Sequence, residues 1–386
     1  MTLFELPPLS LYVHIPWCVR KCPYCDFNSW AVRNELDEEA YVGALLADLE
    51  RELPFVHDRE LVSIFIGGGT PSLFGAGAIS RLLQGVRQRV PCPSDVEVTL
   101  EANPGTLEAG RYAGYRDAGV NRLSIGVQSF HGESLQRLGR IHGPGEALAA
   151  VEAARATGFD NLNLDLMFGL PGRGVEQALA DVRQAIDLAP WHLSYYQLTL
   201  EPDTPFFRAP PALPEDDLLW EIHCQGQALL AEAGYAHYEV SAYALPGREC
   251  RHNLNYWTFG DYLGIGAGAH GKVSDPEGRI VRRCKPQRPG AYLRAMESGE
   301  GAVEQQILAR QDLAVEFMMN ALRLRQGFGR ALFEQRTGLP IGEIQARMDE
   351  AVAAGLLEVS GERVWPSGRG WLFLNDLLAM FLPDAG

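Results

Sequence analysis

The chain has 386 residues, a formal net charge of −15 and 46% hydrophobic residues. That is enough apolar chain for one large α/β core and a smaller appendage. The acidic balance gives no general pull on polyanions, so no nucleic-acid partner is expected and membrane contact is expected to be peripheral at most.

The opening stretch, MTLFELPPLSLYVHIPWC, lacks a basic segment followed by a long apolar run, so no signal or transit peptide is read. No run approaches the ~18 uncharged apolar residues of a membrane-spanning helix. Seven cysteines, an odd number without a disulfide-framework spacing, fit a reducing cytoplasm.

In chain order, strand patterns fall at 11–15, 62–66, 96–101, 122–127, 162–168 and 193–200. They are rich in Val, Ile, Leu, Phe and Tyr, and most end at Gly, Pro or Asn. Between them lie helical spacings, such as LDEEAYVGALLADLEREL at 36–53. Another is PGEALAAVEAARATG at 144–158, with Pro at its start and Gly at its end. Six strand-then-helix units predict an α/β fold, a partial (β/α)6 TIM-like barrel over residues 1–205. A doubly wound open sheet competes, because alternation alone does not separate the two.

Residues 206–304 open inside the proline-rich, acidic EPDTPFFRAPPALPEDD, which starts at Glu201, and run into a helix near 216–233. They continue as an aromatic- and Gly-rich extension, 252–271, expected to close the site. Residues 305–386 read as a small α+β winged-helix-like domain, with two short strand-like runs joined by a polar turn. Its helix IGEIQARMDEAVAAG carries three acids against one Arg, which favours a structural or protein-contact role over DNA.

The chemistry concentrates in WCVRKCPYCDF, which holds Cys18, Cys22 and Cys25 directly after the first strand. Thiolates at Cys-x3-Cys-x2-Cys spacing wrap a short loop around a [4Fe-4S] cubane, each on its own iron. A zinc site completed from elsewhere and plain structural cysteines are the alternatives. The scattered Cys92, Cys224, Cys250 and Cys284 read as small hydrophobes. FIGGGTP places three glycines at the end of the second strand, where a ligand or a tight turn would need them. Glu101 (LEANP) and Gln128 (GVQSF) fall at strand ends, the rim where barrel sites form. Arg140 (LGRIH) follows nearby, and Asp165 sits inside an apolar strand and needs a partner if buried.

With its three cysteines after the first strand and Tyr24 before Cys25, the chain resembles the radical S-adenosylmethionine superfamily. The resemblance implies that the amino and carboxylate groups of S-adenosylmethionine take the fourth iron. An electron from the cluster then cleaves the sulfonium to a 5′-deoxyadenosyl radical. It also implies that Tyr12, Gly68, Gly69, Thr70, Glu101, Gln128, Arg140 and Asp165 hold that cofactor. LYVHIPWC, PYCDFNS, GGGTPS, EANPG, GVQSF, DLMFGLPG and HNLNYW together resemble the HemW heme chaperones, relatives of oxygen-independent coproporphyrinogen III dehydrogenase, over nearly the whole chain.

That resemblance implies a cytoplasmic chaperone, transiently at the inner membrane face, that delivers heme to respiratory hemoproteins. The radical decarboxylase is the alternative. Phe27 stands where the dehydrogenase has a further cysteine, and only ten residues precede the first predicted strand where it has a longer arm. Both departures point away from coproporphyrinogen chemistry. A radical enzyme acting on a tRNA base is disfavoured by the acidic balance. CRHNLNYW offers His252 for heme iron, Tyr256 and Trp257 as walls, and Arg248 and Arg251 for propionates, with Cys250 a conceivable second ligand. His270 in GIGAGAHG is expected to face the cofactor, and association of two chains through the cluster loop stays open.

Overall fold

A computed structural model of the chain describes residues 5–105, 110–299 and 303–382. The six predicted strands form at Leu9–Ile15 (β1), Leu61–Gly68 (β2), Glu97–Ala102 (β3), Arg122–Gln128 (β4), Leu162–Phe168 (β5) and His192–Gln197 (β6). They lie side by side in sequence order, each parallel to its neighbour. A doubly wound sheet would reverse its strand order partway, so the alternation resolves to one-way winding, as in a barrel. β4 is buried along its whole length, and β1 and β5 each carry one part-exposed residue, Tyr12 and Asp165. Burial on both faces explains why these strands read as near-continuous apolar runs.

The helices follow the same winding. Glu38–Glu52, Ala76–Arg89 and Tyr112–Ala118 pack each on the next. The first is set by local chemistry: Asp37 accepts from the Ala40 N–H, Glu38 and Glu39 occupy the first turn and Arg51 the last. Tyr41, Val42, Leu45 and Leu49 form its buried stripe.

The stretch after residue 206 enlarges this sheet. Ala236–Glu239 (β7) and Ala242–Ala244 (β8) extend it antiparallel beyond β6. Asp261–Ile265 (β9) pairs parallel with the far side of β1. His270–Ser274 (β10), Ile280–Cys284 (β11) and Glu304–Ile307 (β12) continue antiparallel. The result is a 12-stranded sheet with β12 at one edge and β7 at the other, a partial barrel. Helix Arg251–Trp257 tucks beneath it: the Asn255 amide donates to Ser10 Oγ and to the Asp261 carbonyl.

Helices Arg310–Ala321, Arg330–Thr337 and Gln345–Ala353 pack with a three-stranded sheet of Phe328–Gly329, Arg363–Pro366 and Leu357–Ser360. Their core gathers Phe317, Phe333, Met348 and Val364, and takes in Phe259 and Ile280 from the barrel side. Among the described residues no helix is long and apolar enough to cross a membrane.

Candidate functional site

The carboxyl ends of the strands converge on the cysteine loop. Trp17–Cys18 pairs with Trp30–Ala31, closing the loop that carries Cys22 and Cys25. The Thr70 N–H donates to the Trp17 carbonyl at 2.7 Å, which seats this loop on the end of β2. All three cysteines are free thiols lining one cavity. Burial pushes the Cys18 and Cys25 thiols up, and neighbouring thiolates push them further; hydrogen bonds from Thr70 and Ser29 partly relieve Cys18. Three thiols in one loop are a donor set whose thiolate charges cationic iron would neutralise. Among the described residues no three His, Cys, Asp or Glu side chains are gathered closely enough to share one ion. A cubane does not ask for that, since each thiolate takes a different iron.

Two of the three glycines are dictated by contacts inside the protein. Gly68 has φ +114°, and a Cβ there would lie 2.7 Å from the His14 ring. A Cβ on Gly69 would lie 2.5 Å from the Trp17 carbonyl oxygen, which is backbone and has no room to give. Tyr12 reaches the loop only through His14, its hydroxyl 2.9 Å from His14 Nδ1, and it does not line the cavity.

Thr70, Glu101, Gln128, Arg140 and Asp165 do line it, together with Gly68 and Gly69. Arg140 bridges the site: it donates to Asn103 Oδ1 at 2.6 Å and to the Gly126 carbonyl at 2.7 Å, with Cys22 Sγ 3.8 Å away. Its Nε is buried without a hydrogen-bond partner. Asn103 in turn donates to Thr70 Oγ1 at 3.0 Å. Asn103 has no signal of its own in the sequence, where Asn before Pro reads as a turn. Gln128, at φ +66°, holds its amide oxygen against the Tyr196 hydroxyl at 2.7 Å.

Asp165 accepts from the Asn163 amide at 2.8 Å, and burial raises its carboxyl. Glu101 accepts from the Gly68 N–H at 3.1 Å. Burial, then the Asp165 charge, push it up to about 8. The folded value lies above the ordinary 4.5, so the native chain keeps a proton that the unfolded chain releases. Stability from this group is full below about 4.5 and is lost as pH rises toward about 8. Glu101→Gln is therefore expected to flatten the fall in urea midpoint between about pH 5 and 8. An unchanged slope would sink this assignment.

The cavity encloses about 1540 Å3 and runs from the cysteine loop past β6 to residues 371–376. One face of helix Asp216–Glu232, with Asp216, Leu219, Trp220, His223 and Gln227 at helical spacing, looks into it. Of the residues read as heme-binding, Trp257 lines this cavity, with the Arg323 guanidinium 4.4 Å over its ring. His252 does not. Its Nδ1 lies 2.9 Å from Ser63 Oγ and its ring packs on Phe65 and Tyr12. Ser63 lies five residues down β2 from Gly68, roughly 16 Å below the rim. Burial pushes the His252 imidazole down to about 3.

Tyr256 is held by the Tyr262 hydroxyl, 3.2 Å away. Arg248 stacks on Trp191 and Arg251 bonds Asp95, so both cations are engaged elsewhere. Cys250 is buried against Glu97, and His270 is exposed beside Cys284.

The rim of cysteines at the ends of one-way-wound parallel strands defines a radical S-adenosylmethionine protein. Residues 12–185 match the radical SAM superfamily and residues 308–373 the HemN C-terminal domain. Heme chaperone HemW of Escherichia coli (strain K12) is 52% identical over 382 residues, covering 99% of this chain and 100% of that protein. Heme chaperone HemW of Haemophilus influenzae is 50% identical over 384 residues, covering 98% and 99%. The chain belongs to the HemW family of the radical SAM superfamily. The solved structure of coproporphyrinogen III oxidase (HemN) from Escherichia coli, described as a radical SAM enzyme, shares the fold. Its TM-score is 0.82 at 23% identity, over 97% of this chain and 90% of that one.

Proposed function

We propose that the protein is a heme chaperone. It binds heme, holds a [4Fe-4S] cluster through Cys18, Cys22 and Cys25 with S-adenosylmethionine on the fourth iron, and passes heme to respiratory hemoproteins. The observation that carries this reading is the full-length likeness, 52% over 99% of the chain, to a relative named a heme chaperone. The donor set supports it too: three free thiols and Arg140 line the same cavity.

When bound, the cluster supplies a reducing electron and the nucleotide a reducible sulfonium. The chain's own groups position them. Arg140 offers its guanidinium to a carboxylate, while Thr70 and the 68–70 backbone form the wall beside Cys18. Glu101, holding its proton at neutral pH, donates to a ribose oxygen, and Asp165 accepts beside it. Gln128 fixes the far wall through Tyr196. Phe27 is exposed at the mouth of the cavity, where a heme face or a recipient would meet it.

Anaerobically reconstituted protein titrated with hemin is expected to show a saturable Soret shift. With reductant and S-adenosylmethionine it is expected to release no protoporphyrinogen from coproporphyrinogen III. Sustained turnover in that assay would overturn the chaperone reading in favour of the decarboxylase.

A further inference from the structure

The cavity is larger than one ligand needs. Its 1540 Å3 exceeds the ~300–1,000 Å3 that usually encloses a single small molecule, and the rim residues around Arg140 occupy only one end. The other end is an aromatic slot between helix Asp216–Glu232 and the C-terminal domain. Trp220 from the helix and Phe373 from that domain line it while 51% and 52% exposed. Large apolar groups left open inside a cavity ask for a flat apolar occupant. Trp257, the HNLNYW residue that reaches the cavity, closes the same slot.

A heme also needs an unprotonated imidazole nitrogen. His223 stands one turn beyond Trp220, its ring 5.9 Å from that indole and 5.3 Å from Phe168. Its Nε2 lies 2.9 Å from the Gln227 amide nitrogen, which donates to it, so Nε2 carries a lone pair into the slot's wall. Burial keeps this imidazole neutral. His237, the other histidine of the slot, is less available: its Nε2 faces the Val240 carbonyl at 3.2 Å and its ring stacks on Tyr243.

We infer that heme occupies the slot between helix Asp216–Glu232 and the C-terminal domain, with His223 Nε2 as its iron ligand in place of the Gln227 N–H. This rests on the heme reading above and moves the ligand from the barrel floor, where His252 is bonded to Ser63, to the cavity. Arg323, which also pairs with Glu239 at 3.4 Å, is the cation on the slot's wall, and Glu201, Asp216 and Asp376 line the remainder. The propionates therefore point toward Arg323 and away from those carboxylates.

The test uses the full chain, with hemin and metal-free protoporphyrin IX as probes. His223→Ala is expected to weaken hemin at least ~10-fold and to remove the imidazole-ligated Soret band. Protoporphyrin IX, which feels only the walls, should bind wild type and variant alike. His223→Cys is expected to bind hemin with a thiolate-type spectrum. His223→Ala with wild-type hemin affinity and spectrum overturns the assignment. So does a folded His252→Ala that alone loses the ligand band. Failure of wild-type protein to bind hemin saturably overturns the heme reading itself, a distinct result.

Discussion

Replacing Cys18, Cys22 or Cys25 singly with alanine is expected to take anaerobically reconstituted protein from about four irons per chain to below about one. In the proposed cluster each thiolate would hold its own iron and contribute a negative charge that the cluster core requires. Two protein ligands leave two irons open to water and exchange. Folding is expected to survive, because none of the three side chains belongs to the apolar core and their loop sits on the rim. The urea midpoint of the cluster-free variants should therefore match that of cluster-free wild type. Cys250→Ala is expected to keep its iron, since that thiol is buried against Glu97 and away from the cavity. Iron and sulfide analysis decides the matter: three variants that each retain a full cluster would refute the ligand assignment.

The second large effect concerns stability. Asp261→Ala is expected to cost about 3–5 kcal/mol, read as a shift in urea midpoint against wild type. Asp261 is completely buried at the start of β9. It accepts from Lys272 Nζ at 2.9 Å, Arg59 Nη1 at 2.8 Å and the Ser274 N–H at 2.8 Å. Burial alone would raise its carboxyl, but Lys272 and Arg59 more than offset that and hold it below the usual range.

Removing the carboxylate strands a buried lysine against the Phe259 ring, 4.3 Å away, and within reach of the Arg282 and Arg336 charges. An exposed pair such as Glu39–Arg81 offers the contrast, and Glu39→Ala should cost no more than about 1 kcal/mol. Equal shifts for the two variants would refute the claim. β9 also leads into Ala267, whose carbonyl accepts from Asn28 beside the cysteine loop. Loosening its foot should therefore also speed cluster loss.

Much of the site was readable from residue spacing. The three cysteines lie within eight positions, so local chain geometry alone brings them together. Glu101 and Gln128 were placed on the rim because parallel strands put their carboxyl ends on one side, whatever their order. The strand termini at Leu162–Phe168 matched the apolar run, whereas β6 stops at Gln197, short of the predicted 200. His252 shows where such reading ends. Its motif reads as a ligand loop, and the chain folds it as a seven-residue helix under the barrel, where Ser63 holds Nδ1 and Glu97 accepts from the backbone N–H. His223 carries no motif at all, and the packing of its helix on helix Val175–Asp187, β5 and β7 places it on the cavity wall.

The sequence by itself determined the α/β class, the one cysteine-rich loop and the alternation that builds six parallel strands, because periodicity and short spacings act over a few residues. Tertiary structure alone decided that β9 pairs with β1, that Arg140 and Asn103 join the cysteine loop to β3 and β4, and that His223 and not His252 lines the cavity. Those outcomes depend on residues far apart in the chain competing to bury apolar surface and to pair every buried charge. No local pattern records the winner of that competition.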